Sequence, residues 1–209
     1  MDNAWEDWKR GEYPGNHLWG VTHLHKYGIE VDILPHEKYV FLNKVGRHLK
    51  LGDYLDQQIR ILFRLFHYDL VYSACGDNTF FLALLRSLGI FWKPVVAIIH
   101  HPLGQSRRNR IFVKGHDKIL CLSNSIKKQI EEKFDINEGK VELLEWAIEV
   151  PFYEREIKNV GYQPEFILSA GKTQRDYNTL VKAFSEIDYP LYILCTGESA
   201  PEISEITPI

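Results

Sequence analysis

Residues of this 209-residue chain that could do chemistry gather in a few short turns. In FILSAGKTQRDYNTLVKAF (166–184), Gly171, Lys172 and Arg175 stand between an apolar run and a helical pattern. Gly-Lys-Thr also ends a P-loop, but that loop needs a glycine five places earlier to wrap phosphates with backbone N–H groups. Phe166 occupies that place, so the wrap cannot form. What is left is a helix start, whose free N–H groups and partial positive charge favour an anion. Two cations beside it would suit a diphosphate and the charge that grows on a leaving diphosphate. The plainer alternative is a solvated Lys and Arg, with Asp176 capping the helix.

Other turns offer fewer groups. His100 and His101 follow the apolar run PVVAII. A histidine at a strand end could hydrogen-bond a ligand; otherwise one is structural and the other exposed. Gly15, Asn16 and His17 form a flexible turn where backbone could approach a ligand, or an ordinary Pro-Gly turn with a cap. Asp77 and Asn78 read first as helix caps, and Ser123 opens a further turn. His23 and His25 lie two apart on a helical pattern, so they face different ways and make a poor zinc pair.

The elements that must position these turns can be read from periodicity. A short helix is expected over 17–26 and a strand over IEVDIL (29–34). Between 53 and 66, Leu55, Ile59, Leu62, Phe63 and Phe66 share one helical face. A strand at 70–75 precedes a helix with Phe80, Phe81, Leu84, Leu85 and Leu88 inward. PVVAII (94–99) and KILCL (118–122) read as strands buried on both faces of a parallel sheet. Between them, RRNRIFVKG (107–115) reads as a basic loop carrying Arg107, Arg108, Arg110 and Lys114. A helix at 123–134 turns Ile126, Ile130 and Phe134 inward, with Lys127–Glu131 and Lys128–Glu132 paired outside. A short strand is expected at 141–144, then a polar linker, then strand (166–170), helix (177–187) and strand (191–197). Strands alternating with helices make an open parallel α/β sheet, whose ligands sit beyond the carboxyl ends of the strands. Those ends are Gly76–Asn78, His100–Pro102, Ser123–Ser125 and Gly171–Arg175.

Composition narrows the classes. Apolar residues are 45% of the chain, so disorder is not expected. A net charge of −3 gives no reason to expect nucleic acid. Cys75, Cys121 and Cys195 are odd in number, far apart and set in apolar runs, as reduced buried thiols are. No signal peptide or membrane-spanning run is read, so the expected location is cytoplasmic. The four cations of 107–115 either form a solvated loop or touch anionic lipid at the inner face of the cell membrane.

With those residues in view, the chain resembles the retaining glycosyltransferases of the two-lobe GT-B type, glycosyltransferase family 4 (group 1). EYPGNHLWGVTHLHKYGIEVDIL is similar to the family's first loop and helix. KPVVAIIHHPL is similar to its strand ending in a cleft histidine, and DKILCLSNSIKKQI to its strand and serine turn. VELLEWAIEVPFY is similar to the segment crossing between lobes, with Glu149 where an aspartate is usual. ILSAGKTQRDYNTLVKAF looks like the opening of the second lobe.

The resemblance implies an α/β fold with a Rossmann-like parallel-sheet N-terminal lobe over 1–150. A linker over 151–164 follows, then the incomplete start of a nucleotide-sugar-binding lobe over 165–209. It implies transfer of a sugar from a nucleotide-diphosphate-sugar to a saccharide or lipid-linked acceptor, with no metal or redox cofactor. His100 would face the donor sugar, Gly171, Lys172 and Arg175 would hold the diphosphate, and Gly15, Asn16 and His17 would form the donor/acceptor loop. Asp77, Asn78, His101 and Ser123 would line the cleft. The family's first strand and paired-glutamate motif have no counterpart here, which implies a fragment, a degraded copy or a lobe completed by a separate chain. Turnover by these residues alone is not expected. A dehydrogenase is disfavoured because no Gly-x-Gly-x-x-Gly follows a strand.

Overall fold

The computed structural model describes residues 2–136, 139–157, 165–171, 175–197 and 200–201. The chain divides into two compact units, Met1–Arg155 and Glu156–Ile209. In the first, helix α1 (Asp2–Lys9) leads to two 3₁₀ turns, Gly15–Leu18 and Val21–Tyr27, and then to α2 (Val40–His48) and α3 (Leu55–Phe63). Strand β1 (Val71–Ser73) and a 3₁₀ turn (Gly76–Thr79) precede α4 (Phe80–Ser87) and β2 (Val95–Ile99). Next come α5 (Arg107–Gly115), β3 (Lys118–Cys121), α6 (Asn124–Phe134), β4 (Val141–Leu143) and α7 (Val150–Ile157).

The four strands form one parallel sheet in the order β1-β2-β3-β4. Parallel strands joined by right-handed crossovers, each moving one place the same way, put their helices on one face. The core agrees: Ala97, Ile99, Ile119, Cys121 and Val141 point to one face and pack with Phe112 and Val113 of α5 and Ile126 and Ile130 of α6. Phe80 of α4 joins the same cluster. The unit is therefore α/β with a four-stranded parallel sheet, compatible with a Rossmann-like fold. On the opposite face the Tyr72 hydroxyl donates to the Trp19 carbonyl at 2.7 Å, so the first 3₁₀ turn reaches the carboxyl end of β1 there.

Helix α5 packs on α4 at van der Waals limit. A Cβ on Gly115 would collide with the Ala83 carbonyl oxygen and lie 2.6 Å from its carbon. Backbone cannot swing aside as a long side chain can, so the helices would have to part. Gly115→Ala is expected to cost about 3 kcal/mol, the upper end of ordinary overpacking, read as a lower urea midpoint.

Several expected elements differ. Residues 29–34 form no strand: Ile29 is exposed, and no neighbouring strand offers a ladder. The next carbonyls, of Pro35 and His36, accept from Arg60 of α3 at 2.6 and 3.1 Å. Residues 107–115 are helix, not loop, because the Ser106 hydroxyl accepts from the Asn109 N–H and Phe112 and Val113 are buried. Phe63 and Phe66, expected to face inward, are 84% and 87% exposed, since α3 ends at Phe63 and the face does not continue. In α4, Leu82 and Ala83 are buried and Leu88 is exposed. That helix is capped neither by Asp77 nor by Asn78. The carbonyl oxygen of fully buried Gln58, from α3, accepts from Phe81 N–H at 2.7 Å and Leu82 N–H at 3.2 Å. Helices α1 and α2 were not expected, and 150–157, read as linker, includes α7.

The second unit pairs β5 (Ile167–Ala170) in parallel with β6 (Leu191–Leu194), joined through α8 (Tyr177–Phe184). Among its described residues only Tyr177 is buried, while Leu168 and Leu194 are 59% and 68% exposed. No helix among the described residues is long and apolar enough to cross a membrane.

Candidate functional site

The carboxyl ends of β1 and β2 meet at His100. Its Nε2 lies 2.7 Å from the Ala74 carbonyl, which can only accept, so Nε2 carries the proton. Singly protonated, the ring keeps Nδ1 as an acceptor. Trp19 stands edge-to-face with this imidazole, centroids 4.7 Å apart, and edge-to-face with Trp146 at 4.8 Å. Trp19 takes a left-handed backbone, φ 55° and ψ 44°. That region costs a bulky residue roughly 1–2 kcal/mol, and such strain persists where surrounding contacts over-determine it. Here the Tyr72 hydrogen bond and two ring contacts do so.

Gly15 is closely surrounded by side chains. Its N–H donates to the Glu149 carboxylate, and a Cβ would meet Glu149 Oε2 at 3.0 Å, Trp8 Nε1 at 3.0 Å and Thr22 Oγ1 at 3.2 Å. Asn16 turns a buried Oδ1 inward that has no hydrogen-bond partner among the described residues. His17 is exposed beside Tyr13, ring centroids 5.5 Å apart. Gly15, Asn16, Trp19 and His23 form one wall of a cleft of about 200 Å³, and Leu144–Glu149, just past β4, form the other. The structure thus joins the Gly15–Asn16 turn to His100 through Trp19. Trp19, Trp146 and the role of Glu149 in holding Gly15 were not found from the residues themselves. Tryptophans far apart in sequence give no periodic signal that they will meet.

The remaining candidates separate. His101 is exposed beyond β2, and Ser123 spends its hydroxyl capping α6, accepting from Ile126 N–H at 3.2 Å. Asp77 is exposed in the turn after β1. Asn78 holds another buried Oδ1 without a described partner. Arg107, Arg108, Arg110 and Lys114 are exposed on α5, and the Arg108 guanidinium sits 4.4 Å over the Phe80 ring. Among the described residues no group of His, Cys, Asp and Glu is placed to hold a metal ion.

In the second unit, Gly171 follows β5 and the Arg175 side chain folds back over it. The Tyr177 hydroxyl donates to the Gly171 carbonyl at 2.8 Å, pinning the turn to α8. Asp176 caps α8, accepting from the Thr179 N–H at 3.0 Å and from its hydroxyl at 2.7 Å. Those bonds from Thr179 hold its carboxyl below the usual range. The helix start therefore carries both a cation and a capping carboxylate. Lys172 lies outside the described residues.

No protein-family model matches the chain, and no curated protein matches it. Kinship adds nothing to what the α/β architecture and these side chains show.

Proposed function

We propose that the chain is the acceptor-side lobe and the opening of the donor lobe of a retaining GT-B glycosyltransferase. It would move a sugar from a nucleotide-diphosphate-sugar to a saccharide or lipid-linked acceptor. One observation carries the reading: a histidine at the carboxyl end of a central parallel strand, fixed through Nε2 and walled by a strained tryptophan beside a cleft. Ligands of such sheets bind at those strand ends. The Nδ1 of His100 would accept a hydroxyl of the donor sugar. Gly171, Lys172 and Arg175 would take the diphosphate and stabilise its charge as it leaves. No metal or redox cofactor enters this chemistry. The exposed cations of α5 would rest on anionic lipid at the cytoplasmic face of a membrane.

A second reading is a non-catalytic lobe that pairs with a separate chain. The exposed Leu168 and Leu194 of the two-stranded second sheet favour it, because parallel sheets are normally covered on both faces. Activity that appears only on adding such a chain would mark this reading.

Titration calorimetry with UDP, GDP and ADP tests the donor side. At least one diphosphate is expected to bind, and Arg175→Ala to weaken it tenfold or more, the loss of one charge-assisted contact. Equal binding by the variant, or no binding of any of the three, would contradict the proposal.

A further inference from the structure

We propose that the apolar patch at the amino ends of β1 and β2 is a homodimer interface, covered by the same patch of a second copy of the chain. It lies at the end of the sheet opposite His100 and is independent of sugar transfer. Two short stretches build it. At and after the end of α3, Phe63 and Phe66 stand almost fully in solvent. After α4, Leu88, Ile90 and Trp92 are 64, 60 and 58% exposed, while Phe91, between Ile90 and Trp92, is buried. The stretches meet where the rings of Phe66 and Trp92 approach, centroids 6.5 Å apart. Both overlie one small core, in which Val71 and Phe91 are buried but Leu62, Leu65 and Tyr68 are only partly covered. Apolar surface therefore runs unbroken from that core to solvent.

The area suits a protein partner. An aromatic side chain presents about 150–250 Å², so the exposed parts of the three rings come to roughly 350–550 Å². Leu88 and Ile90 add to this and carry the patch to the upper end of the roughly 300–600 Å² found on ordinary monomers. A specific interface covers at least about 500 Å² per partner, which two such patches face to face provide. Aromatic centre and charged rim is also the usual anatomy of an interface.

The rim selects a second copy. Arg64 pairs with Asp32 at 2.9 Å, and Lys93 pairs with Asp69 at 3.6 Å. Asp32, Asp69 and Arg64 keep half or more of their side-chain surface in solvent, so they can still meet a partner. In a two-fold interface the same surface meets itself, and the cations of one copy need carboxylates on the other. This rim carries both. An anionic membrane would attract Arg64 and Lys93 but would press Asp32 and Asp69 against like charge. A partner of one strong charge would likewise meet two groups of the wrong sign.

Sedimentation velocity on the full chain over a concentration series tests this, with flotation on phosphatidylglycerol vesicles as the comparison. A shift from monomer to dimer with concentration is expected. Phe66→Glu should weaken dimerisation at least a hundredfold, because a two-fold interface counts each substitution twice and central aromatics dominate interface energies. Trp92→Ser is expected to do the same from the other stretch. Both side chains are more than half exposed, so the circular dichroism spectra should not change. Asp69→Lys, which leaves the rim mostly cationic, should weaken the dimer tenfold or more. Any vesicle binding through α5 should be the same in Phe66→Glu as in the wild type. A chain that stays monomeric at its highest soluble concentration, a dimer that Phe66→Glu and Trp92→Ser leave intact, or vesicle binding that they abolish would each overturn the proposal.

Discussion

Replacing Asp56 by Ala is expected to cost about 3–5 kcal/mol, the scale for breaking one side of a buried ion pair. Asp56 is fully buried, and Arg60, one turn on, keeps only 13% of its side-chain surface. Burial alone would push this carboxyl up. The hydrogen bonds from Arg60 and from the Lys38 and Tyr39 N–H groups outweigh burial and hold it below its ordinary value. Arg60 donates at 2.7 Å to Oδ2 and 3.2 Å to Oδ1, and Lys38 N–H donates to Oδ2 at 2.9 Å. The Asp56 N–H in turn donates to Asn43 Oδ1, tying α2 to α3. The Ala variant leaves a guanidinium with little water and no carboxylate, and frees the 34–39 connection that Arg60 holds by its carbonyls. Urea unfolding would show the lower midpoint, and limited proteolysis would show earlier cleavage near Pro35. A change below about 1 kcal/mol would mean the pair is worth no more than a surface one.

Acid should unfold the first unit earlier than carboxylate protonation alone would. His116 is 1% exposed, and burial lowers its pKa from 6.5 to about 4. Nδ1–H donates to the Phe112 carbonyl at 2.7 Å, so Nε2 accepts the Thr79 hydroxyl at 2.9 Å. Between pH 6.5 and 4 the unfolded chain therefore binds a proton that the folded one refuses. Stability is full above pH 6.5 and falls as pH drops towards 4, by about 3 kcal/mol at 1.36 kcal/mol per unit. The hydrogen bonds could adapt, since Thr79 can turn its proton to the Gly76 carbonyl at 3.0 Å. The buried charge has no such remedy. Nearby Lys140 and Arg86 add to the lowering, and Asp117 opposes it. Asp56, with its depressed pKa, contributes losses only below its unfolded value near 3.8, a separate window. Urea curves at pH 7, 6, 5 and 4 would trace the limb, and His116→Asn should flatten it whatever its own stability. A flat wild-type profile from pH 7 to 4 would show that this ring is hydrated.

What could be read from residues alone was what local pattern determines. β2 is a run of Val, Ala and Ile buried on both faces, and α6 combines a serine cap with Ile126 and Ile130 four apart; β3, expected to be buried on both faces, instead alternates buried Ile119 and Cys121 with half-buried Lys118 and Leu120. The pairing of Lys127 with Glu131 at 3.8 Å was equally local. The failures share one cause, a partner remote in sequence. IEVDIL alternates as a strand does, yet no neighbouring strand offers it a ladder. The cap of α4 comes from Gln58, and nothing near Phe80 in sequence announces it. In α5, four exposed cations masked the inward spacing of Phe112 and Gly115. The histidine after β2 in the first unit and the glycine turn after β5 in the second were legible because strand ends follow from strands. The tryptophan wall was not, because it joins the first turn of the chain to the segment after the last strand of the sheet.

Central to the account is a nucleotide diphosphate held at the turn after β5, where Arg175 folds over Gly171. Amide chemical-shift mapping during a titration with UDP, GDP or ADP measures this most directly. Perturbation of Gly171, Arg175 and Tyr177, saturating along one curve, is the expected result. Absence of saturable shifts at these three residues with all three nucleotides would contradict it.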